Sequence, residues 1–169
     1  MDVRFNVLGT PAGQGSKAFK GIHGGKAIMV ESSKKLQPWR DAVLAAALQA
    51  MNGIPSEPLF RGAVAVHATF YFARPKAHFR TGRNCHLLRD GAPRFYQSTK
   101  PDIDKVLRAT FDALTSAGVW VDDARVAEEI SRKLYADTRP PGAEIIVEAV
   151  GEAGMPEGQT VVRRFGGGA

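Results

Sequence analysis

The chain has 169 residues and a mass of 18.2 kDa, the size of one domain that can bury a core without disulfide or metal staples. It is 44% hydrophobic and 24% charged, and its 23 basic and 17 acidic residues give a net charge of +6 and a pI near 9.7, which favours a polyanionic partner. A single cysteine, Cys85, excludes a disulfide framework and a cysteine-based zinc cage. No apolar run approaches the roughly 20 residues of a membrane span, and Met1–Asn6 has no signal-peptide core, so a reduced cytoplasmic compartment without membrane attachment is expected.

In chain order, Val3–Leu8 alternates apolar and polar residues and reads as a strand, ending in the Gly- and Pro-punctuated loop 9–16. Ala27–Val30 is a short second strand, and Ser32 or Ser33 is placed to cap a helix from about Lys35 to Met51, closed by Asn52-Gly53. Gly62–Ala73, rich in Val, Phe, Tyr and Thr, is a long strand. Arg74–Thr99 has no clear period, and a loop of that length is usually functional or disordered. Helical spacing returns at Ile103, Val106, Leu107, Phe111 and Leu114 and stops at Ala117-Gly118. Val119–Val121 is expected as a short strand ending at Asp122-Asp123, with further strands over Val126–Tyr135 and Ala143–Val150. The order implies one α+β domain over residues 1–150, with two main helices on one face of a mixed sheet and a loose Gly-rich tail over 151–169.

Gly9–Lys17 imitates a phosphate-cradling loop. Gln14 stands where the second glycine belongs and Lys17 follows Ser16, so the motif fails and no nucleotide cofactor is expected.

The chemistry concentrates in Lys100-Pro-Asp-Ile-Asp104 and Gly118-Val-Trp-Val-Asp-Asp123. Pro101 keeps its predecessor extended, which makes Asp102 a suitable N-cap with the helix starting near Ile103. With 102–104 partly extended, Asp102 and Asp104 face one side; in a full helix they would stand about 200° apart. A helix, a turn and a short strand return Asp122 and Asp123 beside them. Crowded carboxylates raise one another's pKa unless a hard divalent cation joins them, and such an ion can activate water for attack on a phosphodiester. Each acid alone has a simpler role as cap, dipole partner or turn residue. Asp112 needs only an i,i+4 partner such as Arg108.

These stretches, together with Phe111-Asp-Ala-Leu114, resemble the core of the RusA family of Holliday-junction resolvases, common in phages and prophages. The close resemblance covers residues 100–126, and a weaker likeness runs from the Gly9-Thr-Pro11 loop to about Val150. It implies a homodimeric, Mg²⁺-dependent endonuclease, with Mn²⁺ as a substitute, that cuts four-way DNA junctions in the cytoplasm, that of a bacterial host for a phage protein. It implies metal ligands at Asp102, Asp104 and Asp123, with Asp122 close by. Three positions depart from the family pattern: Lys105 for an Asn, Arg108 for a supporting Lys, and Arg125 for a Gln. Arg108 keeps a cation but gives up its proton far less readily than Lys. Lys105 and Arg108 are the candidates to stabilise charge at the scissile phosphate.

Residues 74–100 hold seven cations, Arg74, Lys76, Arg80, Arg83, Arg89, Arg94 and Lys100, against one acid, Asp90, which accounts for the whole net charge. They are expected to contact phosphates. The interleaved His78, Phe79, His86, Phe95 and Tyr96 suit base stacking, although Phe95-Tyr96 equally suits the core. Lys17, Lys20, Lys26, Lys34 and Lys35 form a second basic group, and His67, within a strand, reads as structural. The expected function is a metal-dependent endonuclease acting on branched DNA in recombination and repair. The alternatives are a branched-DNA-binding protein without cleavage, a flap or fork nuclease of broader range and, remotely, a glycosyltransferase using the Asp-x-Asp pair.

Overall fold

The computed structural model describes residues 1–15, 17–24, 26–31 and 33–151, with only the backbone for 17–20, 22–23 and 26–31. The expected tail beyond 151 and the side chains of Lys17, Lys20 and Lys26 lie outside this description.

Strands β1 (Asp2–Leu8), β4 (Val64–Phe72), β5 (Val126–Tyr135) and β6 (Gly142–Ala149) form a sheet in the order β1-β6-β4-β5. β6 runs antiparallel to both neighbours, and β4 and β5 are parallel. A separate hairpin joins β2 (Lys17–His23) to β3 (Lys26–Glu31). Helices α1 (Leu36–Ala50) and α2 (Ile103–Ser116) pack on each other, and α1 packs on β1. The expected α+β class holds. Two local expectations do not, and β2 has no counterpart among the expected strands because its run of Lys and Gly hides the alternation. Val119–Val121 is no strand but a single parallel bridge between Trp120 and Phe60. Helix α1 takes Lys35 as its N-cap; Ser33 O accepts from Leu36 N, and Ser32 lies outside the described residues.

The side-chain period of two decides which face of the sheet is buried. Val64, Val66, Ala68, Phe70 and Phe72 of β4 point to the core, in register with Ala143, Ile145 and Val147 of β6. Val3 and Val7 continue this face on β1. Against it lie Trp39, Val43 and Ala47 of α1 and Val106, Ala109, Ala113 and Leu114 of α2. Gly142 is required where β6 meets β1, because a Cβ there would stand 2.0 Å from the Val7 oxygen. The Asn52-Gly53 stop works as read: Asn52 takes a positive φ of 60°, and Gly53 N donates to Leu48 O, closing α1.

A polar contact joins α1 to α2 inside this core. Trp39 Nε1 donates to Thr110 Oγ1 at 3.2 Å, and the same hydroxyl donates to Val106 O one turn back. Both residues are buried, so the indole has no water to fall back on. Thr110→Val, which keeps the shape and removes the acceptor, is expected to destabilise the fold by about 1–3 kcal/mol with an unchanged slope in urea unfolding.

Candidate functional site

Asp102 holds the extended conformation (φ −67°, ψ 141°) that ends the loop, and α2 begins at the next residue. Its carboxylate makes no capping bond; Oδ2 accepts from Lys105 Nζ at 2.5 Å instead. The hydrogen bond and charge of Lys105 hold the Asp102 carboxyl below the usual range, and Asp102 in turn raises the Lys105 ammonium. The upward shift expected from crowded acids is absent at Asp102, because the residue that departs from the family pattern has become its counterion. Asp104 lies exposed in the first turn of α2, where the helix dipole favours an anion, and Arg108 is exposed one turn further on.

Asp122 and Asp123 are delivered by a buried elbow. Gly118, with a φ of +77°, turns the chain back from α2. Leu59 N and Phe60 N donate to Gly118 O and Val119 O, and buried Trp120 donates from Nε1 to Thr115 Oγ1 at 2.7 Å. The chain then surfaces. Asp122 Oδ1 accepts from Ala124 N at 2.7 Å, and Asp123 opens a 3-10 turn, Asp123–Arg125, that packs against α2. Both acidic groups thus stand on touching elements. Their oxygen donors suit a hard divalent cation in kind. Among the described residues, however, no three acids, histidines or cysteines are gathered closely enough to hold one ion.

The approach to Asp102 is tied down from β5. Residues 95–97 run antiparallel to 133–135: Gln97 N donates to Lys133 O and Tyr135 N to Phe95 O, each at 2.9 Å, around a Tyr96–Leu134 bridge. Lys133 points inward from β5, and its Nζ donates to Thr99 O and Pro101 O, both at 2.7 Å. Burial lowers the Lys133 ammonium and the nearby Asp102 opposes that shift. Gln97 Nε2 donates to Lys100 O at 2.9 Å and Thr99 Oγ1 at 3.0 Å. Sequence reasoning missed Lys133 and Gln97. For Lys133 a signal existed, since it occupies the same alternating face of β5 as the buried Tyr135.

The loop that imitates a phosphate cradle forms the opposite wall. Gln14 N donates to Lys105 O at 3.1 Å, and a Cβ on Gly13 would stand 2.9 Å from Lys105 Cβ. The strand β2 follows it rather than a helix, which completes the case against a nucleotide loop. A hollow of about 420 Å³ beside Asp102 and Lys105 adjoins another of about 400 Å³ beside Gln97 and Tyr135, and the two share Gly13, Ser33, Lys100 and Pro101.

The basic loop has internal order. Arg80 N donates to Leu87 O and Arg89 N to His78 O, a small hairpin around a Phe79–Leu88 bridge. Lys76, Arg83, Arg89, Arg94 and Lys100 are exposed, and Arg80 pairs with Asp90 at 3.0 Å. Phe95 and Tyr96 are 71% and 66% exposed, outside the core. Arg74 differs from the rest. Its side chain is only 3% exposed and bonds to Asp137, Pro93 O and Arg94 O, with the guanidinium 4.2 Å from the centre of the Tyr135 ring. His67 meets Glu148 at 3.4 Å across the open face of the sheet.

The family model for the endodeoxyribonuclease RusA matches residues 9–148. The chain belongs to the RusA family. A search of curated proteins finds no match. The RusA match takes in both acidic groups, the whole basic loop and Lys133, and omits β1. Membership supports a nuclease that handles Holliday junctions. Among the described residues no helix is long and apolar enough to cross a membrane.

Arg74 carries a pH consequence. Its hydrogen bonds hold the Asp137 carboxyl below its ordinary value of 3.8. A carboxyl depressed by folding stabilises the fold above the unfolded value and loses that contribution as pH falls through the folded one. Asp137→Asn is expected to lower stability by a constant amount from pH 5 to 8. The gap from the unchanged protein should close below about pH 3.8 in acid unfolding.

Proposed function

We propose that the protein is a metal-dependent endonuclease that cuts branched DNA, with four-way junctions as its principal substrate, in recombination and repair. The observation that carries this reading is that a basic, aromatic-bearing loop of net charge +6 leads directly into Asp102, on an element that touches the one carrying Asp123. Lys76, Arg80, Arg83, Arg89, Arg94 and Lys100 contact phosphates, while Arg74 holds the loop that presents them. Phe95 and Tyr96 stack on bases opened at the branch point.

Asp102, Asp104 and Asp123 would hold the divalent cation, Mg²⁺ or Mn²⁺, with Asp122 turned toward its own backbone cap. When bound, that cation polarises the scissile phosphodiester and lowers the pKa of water. Lys105 is bonded to the carboxylate such an ion would need. On substrate binding it moves to the phosphate, and with Arg108 it stabilises the negative charge that develops there. A two-fold dimer would present two equal sites to a junction with two equal strands to cut. Catalysis belongs in the cytoplasm, where the DNA is.

A second reading, a junction-binding protein that does not cut, is favoured by the Lys105–Asp102 pair, which neutralises one acid without any metal. One set of assays separates the two. Asp102→Asn, Asp104→Asn and Asp123→Asn should each lower Mg²⁺-dependent nicking of a synthetic four-way junction by about 100-fold or more, with junction binding in EDTA retained. Wild-type protein that binds but never nicks supports the second reading. A panel of junctions, forks, flaps and duplexes ranks the substrates. Removing the exposed charges of Lys76, Arg83 or Arg89 should each reduce the salt slope of binding by about one.

A further inference from the structure

Asp102 stands where the basic loop meets α2, and its carboxylate is already engaged. Lys105 Nζ donates to Asp102 Oδ2 at 2.5 Å across one helical turn. The backbone at Lys105 is fixed. Its carbonyl accepts from Gln14 N, and the 9–16 loop lies so close that a Cβ on Gly13 would stand 2.9 Å from Lys105 Cβ. The ammonium end has room to move. The side chain is half exposed and borders the hollow of about 420 Å³ that Lys100, Pro101 and Asp102 also line. The other two lysines near Asp102 differ from it. Lys133 Nζ is bonded to Thr99 O and Pro101 O, and Lys100 stands exposed on the same hollow. Among the described residues, Lys105 is thus the cation that both holds this carboxylate and can leave it.

We propose that Lys105 is a latch that couples divalent-cation binding to DNA binding: on Asp102 it withholds a ligand from the cation, and a phosphate of bound DNA draws it into the hollow and frees that ligand. The assignment concerns the regulation of the proposed metal site and rests on the nuclease reading. An ammonium on a carboxylate blocks an oxygen and also repels a dication. A phosphate offers the ammonium another anion, so the charge-assisted bond is exchanged and not simply lost. Breaking the pair once serves both ligands, and by linkage each then tightens the other's binding by the same factor. The pair itself sets the size of that factor. Half-exposed in water, it is a weak competitor, which gives a coupling of about two- to fivefold. An asparagine at 105, which the resemblance often has, carries no charge and cannot act in this way.

The test compares wild type with Lys105→Asn and Lys105→Gln, two changes at an exposed side chain that should leave thermal unfolding unchanged. Mn²⁺ alone is titrated into DNA-free protein, and the free ion is read by electron paramagnetic resonance. Both variants should bind Mn²⁺ about two- to fivefold more tightly than wild type, a gain that the loss of a merely structural contact would not produce. In parallel, four-way junction affinity is measured by fluorescence anisotropy in EDTA and in Ca²⁺, which takes the same oxygen ligands. Ca²⁺ should strengthen junction binding by wild type about two- to fivefold more than binding by either variant. Mn²⁺ affinity no higher in the variants, or an equal effect of Ca²⁺ on all three proteins, with wild type still nicking in Mg²⁺, overturns the latch alone. A wild type that binds no Mn²⁺ and never nicks a junction overturns the latch and the nuclease reading together.

Discussion

The structure depends on how a 30-residue excursion between β4 and α2 is fastened at both ends to the last residues of β5. At one end the buried guanidinium of Arg74 joins Asp137, the carbonyls of residues 93 and 94, and the ring of Tyr135. At the other, residues 95–97 lie along 133–135, and Lys133 reaches up to the carbonyls of Thr99 and Pro101. β5 can serve as this anchor because it is an edge strand, paired with β4 on one side only. Without the anchorage Asp102 would end a free loop. With it, Asp102 stands at a set place on a helix whose opposite side is locked into the core.

The same fastening sorts the charges. A net charge of +6 spread over a surface would attract any polyanion. Here one arginine is consumed as a staple and another faces Asp90, and the exposed remainder is carried by a short hairpin and its return. Lys105 extends the cationic track into the acidic end itself. Its pair with Asp102 joins two half-exposed side chains, a kind of contact that is weak in water and readily exchanged for a phosphate or a metal ion. Lysine at 105, where the resemblance often has asparagine, therefore puts a removable cation beside Asp102.

Much of this was legible in the sequence because it is local. The heptad-like rows of α1 and α2, the alternation of β1, β4 and β6, the Asn52-Gly53 stop and the N-cap position of Asp102 each follow from residues within a few positions of one another. The acidic groups were legible for the same reason, as short motifs at helix and turn boundaries. What could not be read were pairings between distant segments. Trp120 looks like part of a strand, yet among the described residues its strand-like partner is Phe60 alone, brought in by a loop between α1 and β4. The order within Arg74–Thr99 depends on the ends of β5, encoded some 35 residues later. Arg74 was indistinguishable from the other cations because burial belongs to the fold and not to the residue type.

Helix α2 shows why core and site can coexist on one short element. Its row of Val106, Ala109, Thr110, Ala113 and Leu114 is buried, while Asp104, Lys105 and Arg108 face outward from its first turns. The helical period keeps the two rows apart while the backbone holds them rigidly together. The buried row, fixed by Trp39 through Thr110, therefore sets where the outward row stands. On the proposed reading the acids meet a single phosphate and gain from such a mount, since a misplacement of about 1 Å in reacting groups can lower a rate 100-fold. The second acidic group has a different kind of support, a buried tryptophan and a glycine turn, and its carboxylates lie at the surface beyond Val121, with Asp122 held by Ala124 N. On the proposed reading, these two mounts present a centre that is completed only when its ligand arrives.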